Sequence, residues 1–405
     1  MMDPHSISID DARKILVKAA MQVQGTEDRM LLDACNCVSA DYTHSRINVP
    51  SVSNSAMDGY AVKAEISAGK ALSVSQRIPA GGCPSPLQHG TTARIFTGAP
   101  IPEGADAVVI QEKVSEHNGT VAFPEKIMKG QNIRQIGEDI RSGDQLFAPG
   151  HRLRPQDIGL LASVGLTKIS VRRPLKVAVC STGDELVEPG VLEVKYGEIY
   201  NSNRFAISTL LKSWGMKVLD FGILGDDPLL ISEKLVEASQ VADSIVTSGG
   251  MSVGEEDHVK TQISKLGKLN FWRLRIKPGK PFAFGHIGST PILGLPGNTV
   301  SAFVTCLLLA KPFLFAQQGD SNSVLRYVGA AANFEVPKTS DREQYLRVKV
   351  IESDVGLVAA LYSNQGSGVF SSICCSDALA RIPPNTKVSK GDKIGLLMLD
   401  SLVNP

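Results

Sequence analysis

The stretch Leu175-Lys176-Val177-Ala178-Val179-Cys180-Ser181-Thr182-Gly183-Asp184-Glu185 decides the fold of this chain. Its first half is a short apolar run, the pattern of a strand buried on both faces, and its second half is a polar turn containing glycine. Downstream, Asn201-Ser202 can cap a helix whose Phe205, Leu210 and Leu211 face inward, with Gly215 closing it. Lys217-Val218-Leu219-Asp220-Phe221 reads as the next strand, and Asp227-Pro228 starts another helix, proline being favourable at the first helical position. Ser244-Ile245-Val246-Thr247 is a third strand, followed by Gly249-Gly250. Pro291-Ile292-Leu293-Gly294-Leu295 is a further one, and Pro296-Gly297-Asn298 leads into a helix through Val300 and Val304. Strands alternating with helices predict a parallel sheet covered on both faces, a doubly wound α/β domain over 173–322.

Outward from this unit the texture changes. Near the N-terminus, Ser8-Ile9-Asp10-Asp11 has a capping-box-like start, and Ala12, Ile15, Leu16 and Ala19 repeat at helical spacing. A second helix is expected around Ala34. Over 49–132, short alternating pieces such as Val108-Val109-Ile110 and Thr120-Val121-Ala122-Phe123 lie between Gly, Pro and Asn, predicting an inserted β-rich domain. Residues 133–172, where Pro155-Gln156-Asp157 opens an apolar helix, are read as a return to the first domain, which with 1–48 makes an elongated mixed α/β unit. Beyond 323, alternation as in Tyr345-Leu346-Arg347-Val348-Lys349-Val350 predicts a small C-terminal β domain.

Of the 405 residues 43% are hydrophobic and 20% charged, as in ordinary globular proteins, and the net charge of +1 gives no sign of a nucleic-acid or membrane partner. Seven cysteines without regular spacing fit a reducing, cytoplasmic setting better than a disulfide framework; Cys35/Cys37 and Cys374-Cys375 lack zinc-site spacing. No signal peptide is read at the N-terminus. The most apolar run, Val300 to Ala310, ends at Lys311-Pro312, short of the ~20 residues that cross a bilayer.

Three Gly-containing loops fall at strand ends: Thr182-Gly183-Asp184-Glu185, Ser248-Gly249-Gly250 through Asp257, and Pro296-Gly297-Asn298. Ligands of open α/β sheets sit there, where backbone N–H groups and helix dipoles favour anions. Any one loop is explained by a tight strand-to-helix turn; three in one sheet favour a ligand. No Gly-Lys-Ser/Thr follows, so this is not a P-loop, nor is it the dinucleotide fingerprint. Lys277-Pro278-Gly279-Lys280-Pro281 presents two cations on a stiffened turn preceded by Arg273 and Arg275. Carboxylates gather beside them at Asp184, Glu185, Asp226, Asp227, Glu255, Glu256 and Asp257, hard oxygen ligands suited to Mg²⁺ bridging to phosphates. Asp227, before Pro228, is the one best explained as an ordinary helix-terminal residue.

The motifs together resemble the MoeA family of molybdopterin molybdenumtransferases, to which the E domain of gephyrin also belongs. The resemblance rests on Ser55-Ala56-Met57-Asp58-Gly59-Tyr60-Ala61, Phe96-Thr97-Gly98-Ala99-Pro100, Gly137-Glu138-Asp139, Ser181-Thr182-Gly183-Asp184-Glu185-Leu186, Tyr200-Asn201-Ser202-Asn203, Ser248-Gly249-Gly250 through Asp257, Lys277 to Pro281 and Leu295-Pro296-Gly297-Asn298. It continues more weakly through Arg347 and Gly366-Ser367-Gly368.

The resemblance implies a four-domain elongated homodimer with a MogA-like α/β domain that inserts molybdate into adenylylated molybdopterin, releasing AMP with Mg²⁺. It implies functional roles for Asp58, Thr97, Glu185, Asp257, Lys277 and Lys280. Substrate contacts would come from Gly98, Asp139, Thr182, Gly183, Asp184, Ser248, Gly249, Gly250, Arg273, Pro296, Gly297, Asn298, Arg347 and Ser367, and metal contacts from Glu185, Asp226 or Asp227, and Asp257. A molybdopterin adenylyltransferase and apo-molybdoenzymes are the implied exchange partners. Two positions depart from the common pattern: Thr299 stands where many members have proline, and Arg273 where some have lysine. The competing readings are a tungstate-using transferase, a non-catalytic pterin-binding scaffold and a simple nucleotide-binding α/β protein.

Overall fold

The computed structural model describes residues 6–251, 258–320, 325–354 and 356–404. Its central sheet has six strands in the order Lys217–Leu224, Lys176–Thr182, Ser244–Ser248, Thr290–Leu295, Ala283–Ile287, Gly267–Trp272. Neighbours among the first four are parallel, and the last two strands are antiparallel to their neighbours. The sheet is therefore mixed, where the sequence reading expected a parallel one. The difference originates at Gly288-Ser289, a two-residue connection with Gly288 at φ +58, which turns Ala283–Ile287 directly back into Thr290–Leu295.

Alternation along the buried strands sends side chains to two cores. Val177 and Val179 pack with Ile207, Leu210 and Leu211 of the helix Ser202–Ser213 and with the helical segment after Asn298. Ala178 and Cys180 pack with Ile231 and Leu235 of Pro228–Val241 and with Val259 and Ile263 of His258–Leu266. The domain is thus covered on both faces. Cys180 is inert core, burial pushing its thiol up to about 12. Phe205, expected to face inward, is exposed instead, because it lies on the flank of the helix beside an apolar groove.

The helix from Thr299 does not stop at Lys311-Pro312. It runs 19 residues to Gln317, and although its length and composition would suit a bilayer, 83% of its most apolar stretch is buried in this fold. A π-helical turn over Cys306–Ala310 makes this continuation feasible, since Pro312 then falls in the first turn of Lys311–Gln317, where its missing N–H costs least. Lys311 is buried, donating from Nζ to the carbonyls of Leu402 (2.7 Å) and Asn404 (2.6 Å) and lying over the rings of Trp214 and Phe315. Burial, helped by Arg152, lowers its pKa from 10.5 to about 8. Between those values the unfolded chain binds the extra proton, so this group makes stability rise with pH across that window. The Lys311→Met variant should lack that rise; comparing denaturant unfolding of the two proteins at pH 7.5 and 10 checks it, with a difference on the order of 2–3 kcal/mol.

The helix Ile9–Ala19, capped by Ser8 (Asp11 N to Ser8 Oγ, 3.1 Å), buries Ile9, Ala12 and Leu16 in the same core. The helix expected around Ala34 is only a 3₁₀ turn, Leu31–Asp33. Arg152 ties the outer segments to the α/β unit, bonding Asp320 (2.8 Å), the Asn36 carbonyl (2.7 Å) and Gln318 (2.7 Å) over the Phe315 ring. A six-stranded sheet between Gly59 and Ala122 has its own core around Tyr60, Val62 and Val109. At the C-terminus, Glu343–Ser353 pairs with both Gly356–Leu361 and Ala378–Ile382, closing a small barrel. Its edge accepts Ile276–Lys277 as a parallel partner.

Candidate active site

The three glycine loops meet at the carboxyl edge of the sheet. Ser181 and Ser248 share a buried 2.9 Å hydrogen bond between their hydroxyls. Gly249 adopts φ +95, and a Cβ there would lie 2.4 Å from the Thr182 carbonyl oxygen, so the two loops touch backbone to backbone. The Asn203 side chain donates to the Gly297 carbonyl at 2.6 Å, bringing in the first turn of Ser202–Ser213. Thr182, Glu185, Asn201, Asn203, Ser248, Gly297 and Thr299 accordingly line one cleft. Gly249→Ala should destabilise the domain by at least about 2 kcal/mol and part these loops, which denaturant unfolding and pterin binding would both register.

The carboxylates divide by what already engages them. The Asp184 N–H donates to Asp226 Oδ2 (3.1 Å) and the Asp226 N–H to Asp184 Oδ1 (2.9 Å), a reciprocal pair joining two loops. Asp227 caps Pro228–Val241 by accepting from the Leu229 N–H at 2.8 Å, so its carboxylate is structural. Glu185 is exposed, with no bond or ion pair to its side chain among the described residues, and lies over Gly183, whose absent Cβ would come 2.2 Å from Glu185 Oε2. Asp257 lies outside the described residues. Among the described residues no group of three or more His, Cys, Asp or Glu is close enough to hold a metal ion.

None of the cations of the basic segment lines this cleft. Lys277 and Lys280 are exposed and have no carboxylate partner among the described residues. Gly279 between them sits against the long helix, where a Cβ would come 2.5 Å from Thr305 Cγ2. Arg273, at φ +87, takes the N–H of Ile7 on its carbonyl and donates its own N–H to the Phe282 carbonyl, fixing the start of the segment. Ser367 accepts the Val300 N–H at 3.0 Å, so the C-terminal domain supports the helix beginning at Thr299. Arg347 requires a correction: its side chain is 1% exposed and donates to Ser372 Oγ (3.1 Å) and the Gly366 carbonyl (3.1 Å). It shapes the Gly366-Ser367 turn and presents no free face to the cleft.

A second set stands in the β-rich domain. Asp58 Oδ1 accepts from Thr97 N (2.7 Å) and Thr97 Oγ1 (2.8 Å), and these bonds, the backbone one foremost, hold its carboxyl below the usual range. Gly98 turns at φ +83 beside them, and a Cβ on Gly59 would lie 2.0 Å from the Val109 carbonyl oxygen. Asp139 is exposed, its N–H bonded to the Val49 carbonyl at 3.0 Å. None of these lines the strand-end cleft. Asn201 and Thr299, which do, were not singled out as ligand contacts from sequence; their signal was an asparagine at a helix cap and a hydroxyl in the Pro-Gly-Asn loop.

Comparison with known proteins agrees with this geometry. Family models match in order: MoeA N-terminal region (domain I and II) at 7–165, "Probable molybdopterin binding domain" at 178–316, and MoeA C-terminal region (domain IV) at 330–399. A molybdopterin molybdenumtransferase of Haemophilus influenzae is 39% identical over 379 residues, 92% of this chain and 93% of its own. One of Nostoc sp. is 31% identical over 97% of this chain and 94% of its own. The crystal structure of a molybdopterin biosynthesis MoeA protein from Pyrococcus horikoshii OT3 superposes with TM-score 0.84 at 27% identity, covering 97% of this chain and all of the other. With those models spanning nearly its whole length and the strand-end loops assembled as described, the chain belongs to the MoeA family.

Proposed function

We propose that this protein is a molybdenum insertase of cofactor biosynthesis, transferring molybdate to the dithiolene of adenylylated molybdopterin with release of AMP. The observation that carries this reading is the convergence of Thr182, Glu185, Ser248 and Gly297 on one cleft within a chain of this family. Breaking a phosphoanhydride asks for positioning and charge neutralisation more than for a strong nucleophile, and the residues here suit that task. Loop amides and hydroxyls position the pterin, while Lys277 and Lys280 supply uncommitted positive charge for its phosphates or the oxyanion. Glu185, with Asp184 or Asp226 as a second carboxylate, suits Mg²⁺, which takes one or two carboxylates and fills its other positions with water and substrate phosphates. When bound, that ion would offset the anhydride's negative charge.

The working unit in this reading is a homodimer in the cytoplasm, a setting consistent with seven free cysteines. Asp58 and Thr97 of one subunit would face the α/β domain of the other. An apolar groove of about 580 Å³ lined by the exposed Tyr200 and Phe205 gives a second copy a surface to cover. Adenylylated pterin would come from a molybdopterin adenylyltransferase and the product go to apo-molybdoenzymes. Supplying purified protein with adenylylated molybdopterin and Mg²⁺, with and without molybdate, tests the reading. Molybdate-dependent AMP release is the expected result, and pterin binding without turnover would leave a carrier in its place.

A further inference from the structure

Asn201 caps the helix Ser202–Ser213 by accepting the Arg204 N–H on its side-chain oxygen at 3.3 Å. Capping needs only that acceptor, and Asp or Ser would serve as well. The amide nitrogen is thus surplus to the fold, yet Asn201 is 1% exposed and its Nδ2 has no partner. Thr182, 4% exposed, and Thr299 have hydroxyls in the same condition, buried and unbonded. All three line the strand-end cleft. Orphaned buried polar atoms are uncommon because each costs about 1–3 kcal/mol. Three along one cleft, on three different loops, point to a ligand that completes them.

The donor types and the available space narrow the ligand. An amide N–H and two rotatable hydroxyls suit an acceptor-rich group. The cleft is small, with a cavity of about 40 Å³. A cavity this small can take one compact group of a substrate as large as adenylylated molybdopterin, not the whole of it. The geometry points to a subsite in which Asn201 Nδ2, Thr182 Oγ1 and Thr299 Oγ1 together hold one compact tetrahedral oxyanion, either a phosphoryl group of the pterin substrate or molybdate itself. This deepens the insertase reading and rests on it for the identity of the ligand. Glu185 lines the same cleft, so an anion held there must be balanced against its charge.

The test uses the full-length protein and two near-isosteric variants. Asn201→Asp keeps the capping acceptor and replaces the donor with a carboxylate; Thr299→Val removes only the hydroxyl. Each is titrated calorimetrically with inorganic phosphate, molybdate and adenylylated molybdopterin. The expected result is saturable binding by the parent and affinity lower by about 5- to 20-fold in Thr299→Val, more in Asn201→Asp. Sensitivity confined to phosphate and the pterin assigns the subsite to the substrate's phosphoryl group, and sensitivity confined to molybdate assigns it to the metal oxyanion. Parent-like affinities in both variants for every probe overturn the subsite while leaving the insertase reading intact. Failure of the parent to bind any probe overturns both. Variant-sensitive anion binding without pterin binding keeps the subsite and removes the insertase reading.

Discussion

Glu185→Gln is expected to cut AMP release from adenylylated molybdopterin by a hundredfold or more, on the order of what loss of one well-placed charged group costs. The fold should not notice the change. The side chain is exposed, engages no donor among the described residues and sits above a glycine, so glutamine fills the same space. Its neighbours Asp184 and Asp226 are already tied into backbone bonds and Asp227 is spent on a helix cap, which leaves Glu185, among the described residues, as an uncommitted acid of the cleft. Thermal unfolding matching the parent, alongside the lost activity, is the predicted pair of readings. Full activity in this variant would remove Glu185 from the site.

Asp58→Asn should have an effect of similar size for a different reason. Both recorded bonds run from Thr97 to a single oxygen, Oδ1, and asparagine can keep them. The local turn therefore survives and only the charge is removed. Because those bonds keep the carboxyl ionised well into the acid range, the activity of the parent should not fall near neutrality through titration of Asp58. If the site is built from two subunits, Asp58→Asn and Glu185→Gln should complement each other. Random subunit exchange would give mixed dimers with one intact site each and restore about a quarter of the parent activity. Mixing without recovery, in a preparation shown to exchange subunits, would place both residues on one chain's site.

Much of this was legible beforehand because local chemistry and tertiary structure agree. Asp227-Pro228 and Pro155 start helices as read, and Cys180 is core. Buried strands announced themselves by continuous apolar runs, and their end loops by glycine. The missed pieces have physical causes. Gly267–Trp272 at the sheet edge and Ala283–Ile287 next to it are strands whose mixed composition hides alternation, and the Gly-Ser hairpin joining the latter to Thr290–Leu295 was the overlooked sign. The long helix outran its proline because a π turn cannot be seen in residue spacing. Arg347 was an expected substrate contact on the resemblance alone, and the Gly366 carbonyl and Ser372 hydroxyl that its side chain bonds are not visible in sequence. Asn201 shows the converse: its capping role was readable, but the spare amide appears only once burial is known.

The most direct test of the central claim is stoichiometry. Adenylylated molybdopterin, Mg²⁺ and limiting molybdate are incubated with the full-length protein, and AMP and pterin-bound molybdenum are quantified from the same sample. The account predicts that the two rise together, one for one, and stop when molybdate is exhausted. AMP release that continues without molybdate, or that leaves no metal on the pterin, would contradict it and describe a hydrolase instead.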